Sequence, residues 1–228
     1  MHRNGSKVAI LVDGSFFLKR YKALTKDYST KSASDIVGEL YELCMKHIYK
    51  NDSLYRILFY DCKPLVKKAH NPISGKLIDY SKTDVSIFRN ELFEELKRKR
   101  KVALRLGYLQ SSKDWVISPW KTKDLLKGKI KISDLTEKDI QLNIKQKRVD
   151  IKIGQDIASL ALKKSVNKII LISGDGDFVP AAKLARREGI DFVLDPMWNQ
   201  IDNLLFEHID GLRNVIPKPD YLKRKEDP

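Results

Sequence analysis

Three apolar runs, each closed by aspartate, constrain this chain more than any other feature. They are KVAILVDG at residues 7–14, YRILFYD at 55–61 and KIILISGDGDF at 168–178. Continuous runs of Val, Ile and Leu, without apolar–polar alternation, are the pattern of strands covered on both faces. Between them lie stretches of helical period: residues 15–24, residues 34–49 capped by Ser34 or Asp35, residues 85–101 and residues 149–164. KVALRLGYLQ at 101–110 and DFVLDP at 191–196 read as further strands, and GLRNVIP as an edge strand. Pro180 suits the first turn of a helix ending at Gly189, and residues 200–209 supply a last helix. This β–α alternation predicts an α/β fold, a three-layer α/β/α sandwich around a mostly parallel central sheet.

The whole is expected to form a single domain over residues 1–217. Residues 62–83, with Pro64, Pro72 and Gly75, read as a long loop, residues 111–147 as a basic insertion before the fourth strand, and residues 218–228 as a disordered tail. No run reaches the roughly 18 apolar residues of a membrane span, and the N-terminus lacks a cleavage signal, so a cytoplasmic protein without a membrane partner is expected. Cys44 and Cys62 match no metal-ligand spacing and are expected to be buried thiols. The formal charge is +14. Residues 97–149 hold sixteen Lys or Arg against five Asp or Glu, which points to a polyanionic partner such as nucleic acid.

Ligands of open parallel sheets bind outside the carboxyl ends of the strands. Asp13 closes the first strand, Asp175 and Asp177 follow the fourth, and Asp150 and Asp156 lie on the helix feeding that fourth strand. Asp150 and Asp156 are six residues apart and fall on nearly opposite sides of a helix. Asp156 is the better candidate to face the site, with Asp150 a capping or outer member. Gathered carboxylates repel one another unless a cation neutralises them, and an all-oxygen set suits Mg²⁺ or Mn²⁺. Four histidines in no ligand array argue against zinc. A phosphoaspartyl mechanism through Asp13 is disfavoured, because Ser15 stands where that class carries a second aspartate.

VDGSFF (residues 12–17), RVDIKIGQDIASLA (148–161) and SGDGDFVPAAKLARREG (173–189) resemble the NYN domain of the PIN-like nuclease superfamily, particularly its LabA-like or DUF88 branch. The resemblance runs from about residue 7 to 196. It implies a metal-dependent ribonuclease site at Asp13, Asp156, Asp175 and Asp177, accompanied by Asp150. One position departs from the pattern: Phe16 stands where the family carries Asn. Ser15 could replace that polar group, though a helix N-cap is its commoner role.

For the nucleic-acid path, Arg100 ends a basic helix terminus. Lys121, Lys123, Arg148 and Lys152 add charge, while Trp115 and Trp120 offer faces on which bases could stack. The expected function is cleavage of single-stranded RNA with Mg²⁺ or Mn²⁺. The alternative is an RNA-binding or regulatory module with weak or no turnover, and a homodimer is an admissible assembly.

Overall fold

The structure, a computed structural model, describes residues 5–219; the expected tail falls outside the described residues except for its first two positions. In chain order the elements are β1 (Lys7–Asp13), α1 (Gly14–Leu24), α2 (Ala33–Lys46), β2 (Ser53–Lys63), β3 (Lys68–His70), β4 (Leu77–Asp79), α3 (Asp84–Arg98) and β5 (Val102–Ile117). They continue with α4 (Pro119–Leu126), β6 (Ile140–Lys147), α5 (Val149–Leu162), β7 (Lys168–Ile172), α6 (Val179–Arg187), β8 (Asp191–Asp195), α7 (Asn203–Glu207) and β9 (Gly211–Leu212). Contacts divide the described chain into two compact units. One holds residues up to 61, 91–107 and from 148 on; the other holds residues 62–90 and 108–147.

In the first unit the strand order is β5-β2-β1-β7-β8-β9, and helices flank the sheet. β1 pairs in parallel with β2 on one side and β7 on the other, and β8 is parallel to both β7 and β9. Residues 8–12 are wholly buried, as are Ile169, Leu171 and Ile172 of β7. Each such side chain contributes about 1.5–3 kcal/mol through removal from water, which is why the runs stay unbroken by polar residues. α2 begins at Ser32, two residues before the expected cap, with a reciprocal pair of hydrogen bonds between Ser32 and Asp35. Pro180 does lie in the first turn of α6, and Gly189 closes that helix at φ +79°. A side-chain hydrogen bond is also sunk in this core. His47, at the end of α2, meets Asp195, at the end of β8, at 3.0 Å with both side chains fully buried.

The second unit shows that residues 62–83 are not structureless. Asn71 folds the segment back: its side-chain oxygen accepts from the N–H groups of Ile73 and Ser74, and β3 pairs antiparallel with β4. The strand expected to end at residue 110 runs on to Ile117, and its distal half pairs antiparallel with β6. Both cysteines are buried thiols. No helix among the described residues is long and apolar enough to cross a membrane.

The turn from β1 into α1 depends on Gly14. A Cβ there would lie 2.6 Å from the Phe59 ring and 2.7 Å from the Tyr60 carbonyl oxygen. Gly14→Ala is therefore expected to lower stability by about 2–3 kcal/mol, read as a reduced urea midpoint at unchanged m-value.

Candidate active site

Asp13 occupies the junction of β1 and α1, where it serves two roles. Its Oδ1 accepts the N–H of Phe16 at 3.0 Å, so Asp13 and not Ser15 caps α1. Burial pushes its carboxyl above the ordinary aspartate value; the Phe16 N–H opposes that shift, and the charges of Asp150 and Asp175 add to it. Asp150, in the exposed first turn of α5, is also raised, by burial first and then by Asp175 and Asp177. Asp13, Asp150, Asp175 and Asp177 thus form one electrostatic group.

Asp175 starts the short 3₁₀ turn that follows β7, and its Oδ1 accepts the N–H of Asp177 at 3.0 Å. Both carboxylates are exposed, and the wholly buried Ser173 anchors the loop by accepting the N–H of Asp175 at 3.4 Å. The loop lies against α1 and α7. A Cβ on Gly174 would meet the Phe16 ring at 2.9 Å, and one on Gly176 would meet the Asp202 carboxyl carbon at 3.1 Å.

Asp156 has different company. Its Oδ2 accepts from the Tyr60 hydroxyl at 2.8 Å and from Arg105 Nε at 2.9 Å. Tyr60 is fully buried, is the register partner of Asp13 across β1 and β2, and has its phenol pushed well above the ordinary range by burial and by the Asp156 charge. The two acids of α5 have different partners: Asp150 shares an electrostatic neighbourhood with Asp13, Asp175 and Asp177, while Asp156 is engaged by Tyr60 and Arg105. Asp150 is no cap either, because Arg148 holds the N-cap position at φ +69°.

The remaining expected residues are distributed as follows. Ser15 approaches Asp61, its hydroxyl 3.5 Å from Oδ1. Arg100 and Arg148 are exposed and Lys152 is half-buried in the first unit. Lys121, Lys123, Trp115 and Trp120 belong to the second unit. There Trp120 is 66% exposed, whereas Trp115 pairs across the strands with buried Leu142. Lys121 lies 3.6 Å from Asp139 and Lys123 is exposed.

Two further acids lie beside residues of this edge, Asp61 near Ser15 and Asp202 near Gly176. Asp61 is buried at the far end of β2, where the same strand-end signal that marks Asp13 closes YRILFYD. Asp202 caps α7 beside Gly176, and no sequence signal connects it to a loop 26 residues earlier. A cleft of about 700 Å³ lies at the opposite, amino-terminal edge of this sheet, lined by Ser6, Tyr49, Lys50 and Lys168 among others; it contains none of the four coupled acids.

The donor set fits a hard divalent cation: every candidate is a carboxylate, and Asp13 and Asp150 are each raised in part by neighbouring negative charge. Among the described residues no three His, Cys, Asp or Glu side chains are close enough to share one ion as they stand. The candidates to hold a cation there are Asp13, Asp150, Asp175 and Asp177, which sense one another's charge.

A parallel α/β sheet with strand-end and helix-start carboxylates in one electrostatic group defines an acidic-site α/β protein. The profile of the NYN domain matches residues 58–200, and the chain belongs to that family, within the PIN-like nuclease superfamily. Members of that superfamily are generally nucleases that act on nucleic acid and use divalent metal ions. No curated protein matches the chain. Among solved structures, a Vibrio parahaemolyticus protein of unknown function is similar at a TM-score of 0.48 and 15% identity, with 95% of this chain and 97% of that chain covered.

The raised carboxyl of Asp13 gives a pH test. A folded-state value above the unfolded one means the folded state binds the extra proton, so stability falls as pH rises past the ordinary aspartate value. Asp13→Asn removes the charge and keeps a good N-cap. In metal-free buffer the variant is expected to melt a few degrees above wild type at neutral pH, with the gain shrinking as pH falls toward about 4 and absent below it. Calorimetry across that range checks both halves.

Proposed function

We propose that this NYN domain protein is a metal-dependent ribonuclease of the LabA-like or DUF88 branch, which hydrolyses phosphodiester bonds of single-stranded RNA. The observation that carries the reading is the electrostatic coupling of Asp13, Asp150, Asp175 and Asp177 at the carboxyl edge of the sheet. In this reading those four carboxylates hold Mg²⁺ or Mn²⁺. The cation supplies a counter-charge for the phosphodiester oxygens and acidifies the attacking water. Asp13 is held by the Phe16 N–H and Asp175 by the turn it caps, and in this reading cation binding draws their remaining oxygens together.

Asp156 then acts as a positioning residue. Its carboxylate ties α5 to β2 through Tyr60 and to β5 through Arg105, and so sets the height at which Asp150 is presented. Cleavage in Mn²⁺ is expected to fall at least a hundredfold in Asp175→Asn and Asp150→Asn, and by about tenfold or less in Asp156→Asn. Equal activity in wild type, Asp175→Asn and Asp150→Asn would remove the assignment. Phe16, with no polar group to offer a water or phosphate, favours a second reading: an RNA-binding module with little turnover. RNA binding that weakens with salt, with no cleavage in either metal, would select it.

Metal binding has its own measurement. At a Mn²⁺ concentration about a hundred times Kd, wild type should gain about 2.7 kcal/mol of stability. Asp13→Asn and Asp175→Asn should gain less than half of that by thermal shift, whether or not the protein turns over.

A further inference from the structure

We propose that one face of the ribbon formed by β6 and the distal half of β5 binds a single-stranded RNA segment, with Lys145 and Lys147 on phosphates and Gln110 and Asn143 on base edges. The inference rests on the reading that RNA is the substrate, and it concerns the second unit alone.

The register fixes the face. Tyr108 opposes Lys147 and Gln110 opposes Lys145, and strand alternation carries Asn143 to the same side as both lysines. Ser111 and Ile144 point the other way, and on that side Trp115 opposes buried Leu142. One face of the ribbon therefore packs and the other does not. Between the pairs Ser111–Ile144 and Trp115–Leu142, β5 advances four residues while β6 advances two. The two extra residues force a bulge, and a bulge bends and twists its strand.

A cleft of about 330 Å³ lies here, lined by Gln110, Ser112, Asp114, Asn143, Lys145 and Lys147. Its composition favours a polynucleotide. Gln and Asn amides each present a donor and an acceptor, the combination that matches the edge of a base. Lys145 and Lys147 are exposed and form no ion pair among the described residues, unlike Lys121, which is drawn toward Asp139. Tyr108, 42% exposed on the same side, offers a ring to a base. Asp114 repels phosphate and can accept from a base amino group, which orients the backbone toward the two lysines. The unit as a whole holds fifteen Lys or Arg against seven Asp or Glu, so its field complements a polyanion. A duplex hides the base edges that the amides would read, so the strand is single.

The test uses full-length protein carrying Asp175→Asn to suppress cleavage, with fluorescein-labelled 12-nucleotide RNAs read by anisotropy. Lys145→Glu with Lys147→Glu is expected to weaken binding of every sequence at least tenfold and to flatten the log–log salt slope by about 1.4. Lys26→Glu with Lys163→Glu, a charge-matched change at exposed positions of the first unit, should cost less than threefold. Gln110→Ala with Asn143→Ala should reduce the discrimination among oligo(A), oligo(C) and oligo(U) by threefold or more while leaving the tightest affinity within about fivefold. Ribbon variants that bind like the control pair, or a duplex that competes as well as the single strand, would overturn the proposal.

Photo-crosslinking of 4-thiouridine RNA to the unmutated ribbon gives a readout that does not depend on the variants folding. Crosslinks confined to other peptides would also overturn it. The two readings fail separately. Ribbon-dependent binding without metal-dependent cleavage removes the nuclease assignment and keeps the ribbon, whereas cleavage with ribbon-independent binding does the reverse.

Discussion

Five consecutive residues of β1, 8–12, have no contact with solvent, so this strand must be hydrogen-bonded on both edges and covered on both faces. β2 and β7 satisfy the edges in parallel register. Parallel neighbours bring their carboxyl ends to the same side of a sheet, and the residues that leave β1 and β7 are Asp13 and the loop of Asp175 and Asp177. The helix that precedes β7 must run antiparallel to it, which carries the start of α5, and Asp150 with it, back to that same edge. Apolar burial in one strand therefore decides where four negative charges meet. Their repulsion is tolerated because the backbone answers part of it: Phe16 N–H on Asp13 and Asp177 N–H on Asp175.

The same topology does not bring every strand-end acid to the site. Asp195 also closes a strand, yet it is wholly buried against His47 and accepts the N–H of Met197 at 2.8 Å. Asp61 lies buried at the end of β2 with the Ser15 hydroxyl beside it. A strand-end aspartate can thus join the acidic edge or pin down the elements around it, and which of these happens depends on the partner that tertiary packing delivers. His47 is 148 residues from Asp195, beyond any local signal. For the acids of α5 the periodicity set the two positions apart but could not say which side each partner would occupy. That side is decided by Tyr60 and Arg105, which come from two other strands to claim Asp156.

Most of the first unit was legible because its signals are local: unbroken apolar runs, Pro180 at a helix start and Gly189 at a helix end. The second unit was half legible. Its basic stretch stood out by charge, but the fold of residues 62–90 did not, because their hairpin depends on one side chain, Asn71, bonding its own backbone. Strand β5 continued past the expected turn because Trp115, Val116 and Ile117 find partners in Leu142, Gln141 and Ile140. Those partners lie more than twenty residues away, behind a helix and two short turns. Long-range pairing of this kind overrides what a window of neighbouring residues can show.

Phe16 joins these themes. Its backbone N–H holds Asp13, while its ring lies against Gly174, the residue before Asp175. One residue therefore touches both halves of the acidic edge, the first with a hydrogen bond and the second by packing. An Asn at this position would bring a polar group to the edge but would leave the Gly174 loop without its apolar support. The Ser15 hydroxyl, for its part, lies 3.5 Å from Asp61 Oδ1. Phe16 thus gives mechanical support to the loop that carries Asp175 and Asp177. In the proposed reading, recruitment of a phosphate or water falls to the cation and to basic groups near the start of α5, the exposed Arg148 and the half-buried Lys152 among them.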